Sequence, residues 1–204
     1  MLNSKQKQIL AYTRAKVKKY FEDNFAVGHG FDHAIRVSQN AALIAKKEKA
    51  DIFLCVLSAW LHDLGRAENS VSKIKARHHE ISYNLCQQWF KRDPVLSCLK
   101  KAEKLVVLYA VRYHWNDAAD KYKEAIILRD ADKLDIYGVK GLRRIKEVLR
   151  HGESLEHVRL IYFYTIYWLR TKTARQIAVG KKLFKPGEKF FLQTLKKEIK
   201  PIKL

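Results

Sequence analysis

The sequence predicts an all-α protein, and three observations lead to that prediction. Apolar residues recur about every three or four positions along most of the chain, which is the spacing of one helix face. Residues that typically cap or stop helices fall between these segments, and no convincing pair of alternating strands is present. At 204 residues the chain is long enough for one sizeable core and short for two. We therefore expect residues 1–204 to form a single-domain helical bundle.

The first half of the chain divides into three helical segments followed by a loop. The first runs from about 4 to 23, and Asp32 is placed to cap the second. Asp51 caps the strongly apolar segment IFLCVLSAWLHDLG, which we expect to stop at Gly65. The polar stretch from 66 to about 75 lacks apolar periodicity and is predicted to be a loop.

The second half is predicted to be helical as well. A helix from about 78 to 90 is followed by Asp93-Pro94, an N-cap with proline at the first helical position. The helix that opens there is expected to extend towards His114, and another begins near Tyr122. The remaining residues offer three or four more helices, with breaks near Gly152, Thr171 and the segment FKPGEK.

The formal net charge of +20 is the most unusual bulk feature of the chain. Such a charge favours a partner rich in phosphate, such as nucleic acid, a nucleotide or an anionic membrane surface. The alternative is that the lysines lie on ordinary solvated helix faces. Their even spread, without a long basic run, favours this alternative. Charge alone therefore does not choose among partners.

Cysteine usage and the amino-terminal sequence predict a cytoplasmic location. Cys55, Cys86 and Cys98 form no CxxC pair and lie among apolar residues, as expected of buried free thiols in a reducing compartment. The first residues lack the apolar stretch of a secretory signal. The longest aromatic and apolar run, at 160–169, is too short to span a bilayer, so no membrane partner is expected.

His62 and Asp63 stand at the carboxyl end of an otherwise apolar helical segment. Two ionisable side chains would be costly to bury there without partners. A divalent metal would provide such a partner, because neutral imidazole and carboxylate groups are good ligands. The alternative is that the helix simply emerges into solvent at this point.

His33 and Asp132 are further candidate ligands. His33 lies in the first turn of a predicted helix, where a lone histidine is more often a core or capping residue. Asp132 lies among apolar positions and can therefore face inward. It can equally belong to an acidic surface stripe paired with Arg129 and Lys133.

The motifs HAIRV, LHDLG and ADKL follow one another in this order, and together they resemble the HD-domain superfamily of metal-dependent phosphohydrolases. The resemblance is strongest to the small stand-alone branch, through DADKLD, HHEIS and the C-terminal TKTARQIAVGKKLFKPGEKFFLQTLKKE, and covers nearly the whole chain. It implies a bundle of the HD-domain type, with a metal-site core at about 25–140 and C-terminal helices at about 141–204 packing on it. It assigns metal ligation to His33, His62, Asp63 and Asp132.

Some members of this superfamily bind a second metal through further histidines after the HD pair, one of which opens a helix. In this sequence His78 falls at that position, His79 lies beside it, and His114 ends the next predicted helix. These three histidines are therefore candidate ligands of a second metal. Single-metal relatives also exist, so a site with one metal remains the alternative.

The ligand set combines nitrogen and oxygen without thiolate, which suits Mn, Mg, Fe, Ni or Co better than a structural zinc. The resemblance and this chemistry together predict hydrolysis of a phosphate ester or anhydride, in particular in a nucleotide. Asp63 could orient the attacking water as well as bind the metal. Cationic groups stabilise a transferring phosphoryl group, so Arg66, Lys133 and Arg36 are candidate substrate contacts, with His29 as a proton-transfer or outer group. A surface or salt-bridging role is the alternative for each.

Two substrate classes are disfavoured within this superfamily. The cyclic-dinucleotide branch carries a GYP signature, where this chain has only IYG at 136–138. The alarmone hydrolases carry an ED pair shortly after HD, whereas Glu68 has no adjacent aspartate. The competing hypothesis is a non-catalytic nucleic-acid-binding or nucleotide-sensing module that retains the fold, motivated by the +20 charge. The intact set of ligands argues against it.

A group of aromatic residues near the carboxyl end could stack on bases. At their spacing these side chains would point in too many directions around a helix to form a narrow binding strip. Most of the group is therefore predicted to be core. Its members are Tyr162, Phe163, Tyr164, Tyr167 and Trp168.

Overall fold

A computed structural model describes residues 2–24, 26, 28–71, 77–180 and 182–198, with 68–71 described by their backbone alone. Within these ranges the chain forms α-helices and one 3₁₀ turn at Leu96–Cys98, with no β-strand, which confirms the all-α prediction. The helices are α1 (Ser4–Asp23), α2 (Phe31–Glu48), α3 (Ile52–Leu61), α4 (Leu64–Val71), α5 (His78–Arg92), α6 (Lys101–Tyr113), α7 (Lys123–Leu134), α8 (Gly138–Arg150), α9 (Leu155–Trp168), α10 (Lys172–Gly180) and α11 (Lys185–Glu198). None of the described helices combines the length and the apolar character needed to cross a bilayer.

Helix α3 occupies the middle of the fold because it packs against two apolar clusters. Leu57 and Leu61 belong to a cluster shared with α1, α5 and α6, whereas Cys55 and Ala59 belong to a cluster shared with α2 and α7. A helix that is apolar on all sides is expected to be buried. The two residues that follow α3 are therefore delivered into the interior of the protein.

The C-terminal helices join the second of these clusters. Ile145 of α8, Tyr162 of α9 and Phe191 of α11 are buried in it together with Val37 of α2 and Leu128 of α7. This arrangement brings α8 and α9 alongside the helices that carry the candidate ligands. That residues 1–204 behave as one domain stays a prediction.

The stretch after Gly65, which we predicted to be a loop, begins as a helix. Helix α4 continues to Val71, and residues 72–76 lie outside the described part of the chain. Leu64 and Ala67 lie one turn apart and are both buried, so α4 has an apolar side. Two apolar residues among polar neighbours are too few to give a recognisable helical pattern in the sequence.

Gly65 is not a helix stop but the point where α4 and α5 approach most closely. Its backbone N–H donates to Ser82 Oγ at 2.8 Å. A Cβ atom at position 65 would overlap the carbonyl oxygen of His78 and the Cβ of Ile81. The missing side chain therefore lets α4 lie directly on the first turn of α5.

The segment from Asp93 to His114 contains a break that the sequence analysis did not predict. Asp93 accepts the backbone N–H groups of Val95 and Leu96 at the start of the 3₁₀ turn, and α6 begins only at Lys101. Leu99 is extended and buried between the two elements, so its apolar side chain anchors the break.

The three cysteines are free, as predicted, but only two of them are buried. Burial raises the pKa of the Cys55 and Cys86 thiols. Cys98 is exposed because it ends the 3₁₀ turn on the outer side of the protein.

The prediction that the aromatic group of α9 is mostly core is wrong. Tyr162 is fully buried and Phe163 is partly buried, whereas Tyr164, Tyr167 and Trp168 are exposed. Helix α9 packs on the second cluster by one face only, so the residues on its other side remain in contact with solvent.

We expect Asp93→Ala to lower the free energy of unfolding by about 1–3 kcal/mol, because one buried carboxylate accepts four hydrogen bonds. Oδ1 accepts the backbone N–H groups of Val95 and Leu96, both at 2.9 Å, and Oδ2 accepts from Tyr12 at 2.8 Å and Lys16 at 3.1 Å. Urea denaturation monitored by circular dichroism measures the effect. The matched control is Asp23→Ala, which removes only an exposed pair with Lys19 and should cost under about 0.5 kcal/mol.

The same experiment has an expected pH dependence. Burial works against ionisation of Asp93, but the hydrogen bonds from Leu96, Tyr12 and Lys16 outweigh it and lower its pKa. The contribution of Asp93 to the free energy of unfolding is therefore complete above the ordinary aspartate pKa of about 4. It is lost as the pH falls through the lowered pKa of Asp93 in the folded protein. The wild type should lose its advantage over Asp93→Ala only in that acidic range. An equal loss of unfolding free energy in Asp93→Ala and Asp23→Ala would contradict this stabilising role of Asp93.

Candidate metal centre

His33 lies in the first turn of α2 and is held by a carboxylate from the end of α7. Its Nδ1 is 2.7 Å from Oδ2 of Asp135, and because a carboxylate only accepts, the ring donates its Nδ1–H. Arg36 donates twice to Asp135, at 2.6 and 2.9 Å, and Arg144 of α8 lies 3.1 Å from the same Oδ2 and 2.6 Å from Nδ1 of His33. These contacts leave Nε2 of His33 facing the interior with its lone pair available.

His62 and His114 are oriented by a common local device. Each follows the last residue of a helix, α3 or α6, and its Nδ1–H donates to the carbonyl oxygen three residues earlier. The acceptors are Ala59 at 2.9 Å and Val111 at 2.7 Å. The last carbonyls of a helix lack intrahelical donors, so each histidine satisfies one of them. The opposite ring nitrogen, Nε2, then points away from the helix end towards the other candidate ligands.

The first group of candidate ligands converges from α2, α7 and the turn after α3. Nε2 of His33 lies 3.3 Å from Nε2 of His62 and 3.3 Å from Oδ1 of Asp132. Oδ2 of Asp63 is 3.6 Å from both imidazole nitrogens, and His62 is 3.9 Å from Asp132. The structure thus brings together the four residues that the resemblance named.

A second group forms on the other side of Asp63. Its Oδ1 lies 3.5 Å from Nε2 of His78 and 3.5 Å from Nε2 of His114, and these two nitrogens are 3.2 Å apart. Asp63, His78 and His114 could hold a metal ion, as could His33, His62 and Asp132. One carboxylate therefore presents an oxygen to each group.

The donor set fits divalent cations. Ligands about 2.1 Å from one ion are separated by roughly 3.0–3.4 Å, close to the separations in both groups. Oδ1 of Asp63 is buried and accepts no hydrogen bond from any described residue. The facing Nε2 atoms of each histidine pair also need a proton or a cation between them, because two bare lone pairs repel.

The carboxylates of the centre stay ionised in spite of their surroundings. Burial alone would raise the pKa of Asp63, but His62 and Arg66 outweigh it and hold this pKa well below its usual range. Burial is likewise outweighed at Asp132, where the hydrogen bond from His33 lowers the pKa. The site therefore contains two negative charges that require cationic partners.

The histidines divide into two kinds. Burial lowers the pKa of His62, and it lowers that of His78 to about 3, which keeps both rings in the neutral form that binds metals. Burial acts in the same direction on His33 and His114, but the nearby carboxylates, Asp132 and Asp63 respectively, outweigh it and raise the pKa. Protons and a divalent cation therefore compete for the same two rings.

The remaining predicted residues lie around this centre. His79, although adjacent to His78, is outside both groups, and its ring stacks on Trp115 with centroids 5.0 Å apart. Lys133 pairs with Asp117 and lies over the ring of Trp168, 5.7 Å from its centroid. Arg36, as described above, binds Asp135, which matches the structural alternative for that residue.

Arg66 and His29 line a cleft of about 240 Å³ next to the centre. Nε of Arg66 is 3.5 Å from Oδ1 of Asp63, and the ring of His29 meets the ring of His33 edge-on at 5.3 Å. Burial, and secondarily the charge of Arg66, holds the pKa of His29 well below its usual value. The other lining residues are Ile136, Arg144, Ile145, Val148, Glu153, His157, Val158 and Ile161.

Sequence reasoning missed two residues that position the centre. Asp135 follows Asp132 by one helical turn, and that spacing was the available signal for a role on the same side of α7. Arg144 is one of several basic residues of α8, so no local pattern distinguishes it from its neighbours.

Known proteins resemble this chain in sequence and in fold. The family model for the HD domain matches residues 30–137, a range that contains every residue of both groups. Ribonuclease Y from Petrotoga mobilis is 24% identical over 160 residues, covering 76% of this chain but only 28% of that protein. The chain thus spans little more than a quarter of this relative's length.

Two solved structures have similar folds. One is described as a "predicted HD superfamily hydrolase" from an uncultured Thermotogales bacterium, with 23% identity, a TM-score of 0.63, and coverage of 95% of this chain and 92% of that one. The other is Bacillus subtilis YpgQ in complex with ADP, with 21% identity, a TM-score of 0.67, and coverage of 98% and 100%. At this level of identity they support the fold.

We expect Asp135→Asn to weaken Mn²⁺ binding by roughly 10- to 100-fold while leaving every candidate ligand in place. The amide has the shape of the carboxylate but lacks the charge that orients His33 and balances Arg36 and Arg144. Calorimetric titration of the metal-free protein measures the affinity, with circular dichroism as a check on folding. Asp120→Asn, at an exposed side chain 3.8 Å from Arg170, is the matched control. Equal affinities for the two variants would show that Asp135 does not position the centre.

Proposed function

The chain belongs to the HD-domain family, and from this premise we propose that it is a metal-dependent phosphohydrolase acting on a phosphate ester or anhydride of a nucleotide. The single observation that carries the proposal is Asp63, which lies between two groups of metal-binding side chains and beside a cationic cleft. A fold alone does not define an activity, so the argument depends on this site.

The residues of the two groups would hold divalent cations. Members of this family bind divalent metals, and Mn, Mg, Fe, Ni or Co suit the mixed imidazole and carboxylate donors. When bound, such ions polarise a phosphoryl oxygen and lower the pKa of a coordinated water. Asp63, with one oxygen in each group, is the residue best placed to orient the attacking water.

The cleft next to the centre supplies complementary groups for a phosphorylated substrate. Arg66 and Arg144 place positive charge beside Asp63 and His33, where negative charge accumulates on the phosphoryl oxygens during transfer. Ile145, Val148 and Ile161 form an apolar wall that could take a base. The YpgQ structure with bound ADP and the similarity to ribonuclease Y both support a substrate that contains a nucleotide.

The four predicted substrate contacts take different roles in the proposed reaction. Arg66 is retained as a catalytic and substrate-binding residue, and His29 as a cleft residue next to it. Arg36 acts through Asp135 as a positioning residue. Lys133, which pairs with Asp117, neutralises charge at the edge of the centre next to Asp132. A cytoplasmic location is retained as part of the proposal.

The second candidate function is a nucleic-acid-binding or nucleotide-sensing module without catalysis. The net charge of +20 favours it, because phosphate groups would be attracted to most of the surface. The buried Asp63 carboxylate disfavours it, since a binding module has no need of an ionised carboxylate between two groups of histidines in its interior.

The first test measures hydrolysis by the purified protein loaded with Mn²⁺. The substrates are nucleoside mono-, di- and triphosphates and bis-p-nitrophenyl phosphate. We expect His62→Ala and Asp63→Ala to lower kcat/KM by at least about 100-fold, because each removes a ligand of the proposed metal. His151→Ala, at an exposed residue beyond the end of α8, is the control and should retain full activity. Hydrolysis that persists in the His62 and Asp63 variants would refute the proposed function.

The two-group arrangement predicts the metal content. We expect the wild type to bind two Mn²⁺ per chain, and His78→Ala to bind one, because His78 belongs only to the group on the Oδ1 side of Asp63. Elemental analysis after dialysis measures the stoichiometry. His79→Ala, one residue away but outside both groups, is the matched control and should still bind two. One ion in the wild type, unchanged in His78→Ala, would favour the single-metal alternative.

A further inference from the structure

Helix α9 exposes an unusual amount of aromatic surface. Of the large apolar side chains that the described residues expose, four lie on this helix, and their exposed fractions are 54% for Leu160, 51% for Tyr164, 77% for Tyr167 and 42% for Trp168. A contiguous patch of this kind on a polar surface marks an interaction site. We name Tyr164, Tyr167 and Trp168 the aromatic strip.

The aromatic strip continues the wall of the cleft. His157 and Ile161 of α9 line the cleft beside Arg66. Tyr164 and Trp168 follow them at the spacing i+7 and i+11 from His157, which places all four on one face of the helix. Tyr164 and Trp168 therefore extend outward from the cleft along one helix face, and Tyr167 lies beside Tyr164, with ring centroids 6.3 Å apart.

The far end of the aromatic strip lies next to Lys133. Nζ of Lys133 lies 5.7 Å from the ring centroid of Trp168 and 3.5 Å from its carbonyl oxygen. Lys133 is bonded in sequence to Asp132, one of the candidate ligands. A ligand lying on the strip thus has the cleft beside the centre at one end and the cationic Lys133 at the other.

The rings are arranged in a manner suited to bases. The centroids of Tyr164 and Trp168 are 6.4 Å apart with planes inclined by 32°, and those of Tyr164 and Tyr167 are 6.3 Å apart. Proteins bind single strands by stacking successive bases on exposed aromatic rings while cationic side chains follow the backbone. Arg170 and Lys172 follow the strip directly in sequence, and the Arg170 side chain is 45% exposed.

The charge of the chain decides between the two occupants that such a surface could have. A second copy of the chain would bring +20 against +20, which opposes association of two basic surfaces. A phosphodiester backbone is complementary to that charge, and its bases match the aromatic rings. We propose that the aromatic strip of α9 binds the bases of single-stranded nucleic acid and directs the strand towards the metal centre.

This inference deepens the proposed function, because it names a strand or strand end as the substrate. The direction towards the metal centre rests on the proposed hydrolysis, whereas binding of the strand does not. The two are therefore measured separately. Hydrolysis of bis-p-nitrophenyl phosphate by the wild type with Mn²⁺ tests the function, and strand binding in EDTA tests the aromatic strip.

The binding experiment uses fluorescence anisotropy of 12-nucleotide oligouridylate and oligothymidylate with the full chain at two salt concentrations. We expect the triple variant Tyr164→Leu, Tyr167→Leu, Trp168→Leu to raise Kd at least about tenfold, because it keeps an apolar surface and removes the stacking rings. The matched control Tyr164→Phe, Tyr167→Phe keeps the rings and should stay within about twofold of the wild type. All substituted positions are exposed, and a thermal unfolding curve verifies the fold of each variant.

Three results would overturn the inference. The first is equal affinity of the wild type and the leucine variant for both oligonucleotides, and the second is no strand binding by the wild type. The third is a wild-type dimer in sedimentation experiments that becomes monomeric in the leucine variant, which would assign the strip to a second copy. Loss of strand binding in the leucine variant supports the inference even if the wild type hydrolyses nothing, an outcome that would refute only the proposed function.

Discussion

The burial of the Asp63 carboxylate is the constraint on which the rest of the site depends. An ionised group cannot remain in the interior without compensating charges or hydrogen bonds. Its two oxygens face histidines that come from the ends of α3 and α6 and the first turns of α2 and α5. Those helix ends converge because α3, apolar on all sides, is packed between two clusters and leads the chain to this point. The same helices therefore provide both the charge compensation for Asp63 and the packing of the core.

The fold class and the convergence of the four candidate ligands could be predicted from sequence because both depend on local patterns. The spacing of apolar residues predicts helices. The motif HAIRV indicates the first turn of a helix, and LHDLG indicates the end of a helix. The errors arose where a contact distant in sequence decides the conformation. Leu64 and Ala67 make α4 a helix only because there is a core for them to face, and Tyr164 is exposed because no element covers that side of α9.

The same reason explains which site residues sequence reasoning found. His78 and His79 are neighbours in the HHEIS segment, but consecutive residues of a helix point about 100° apart, so only His78 reaches Asp63. Arg144 acts on His33 across 111 positions of the chain, and such a pairing has no signature in one sequence. Asp135 acts across 102 positions, although its spacing from Asp132 gave a hint. The candidate metal ligands are encoded in local motifs, whereas the residues that orient them depend on tertiary structure.

Gly65 has a consequence for how the LHDLG motif should be understood. Its role is to let α4 rest on the first turn of α5, and it contributes no chemical group to the centre. A descendant that had exchanged His62 and Asp63 for inert side chains would still need a glycine here to keep the two helices together. The motif thus combines two independent requirements, one from the candidate metal centre and one from the packing of the helices. A glycine at this position therefore reflects the packing of α4 against α5, and by itself says nothing about enzymatic competence.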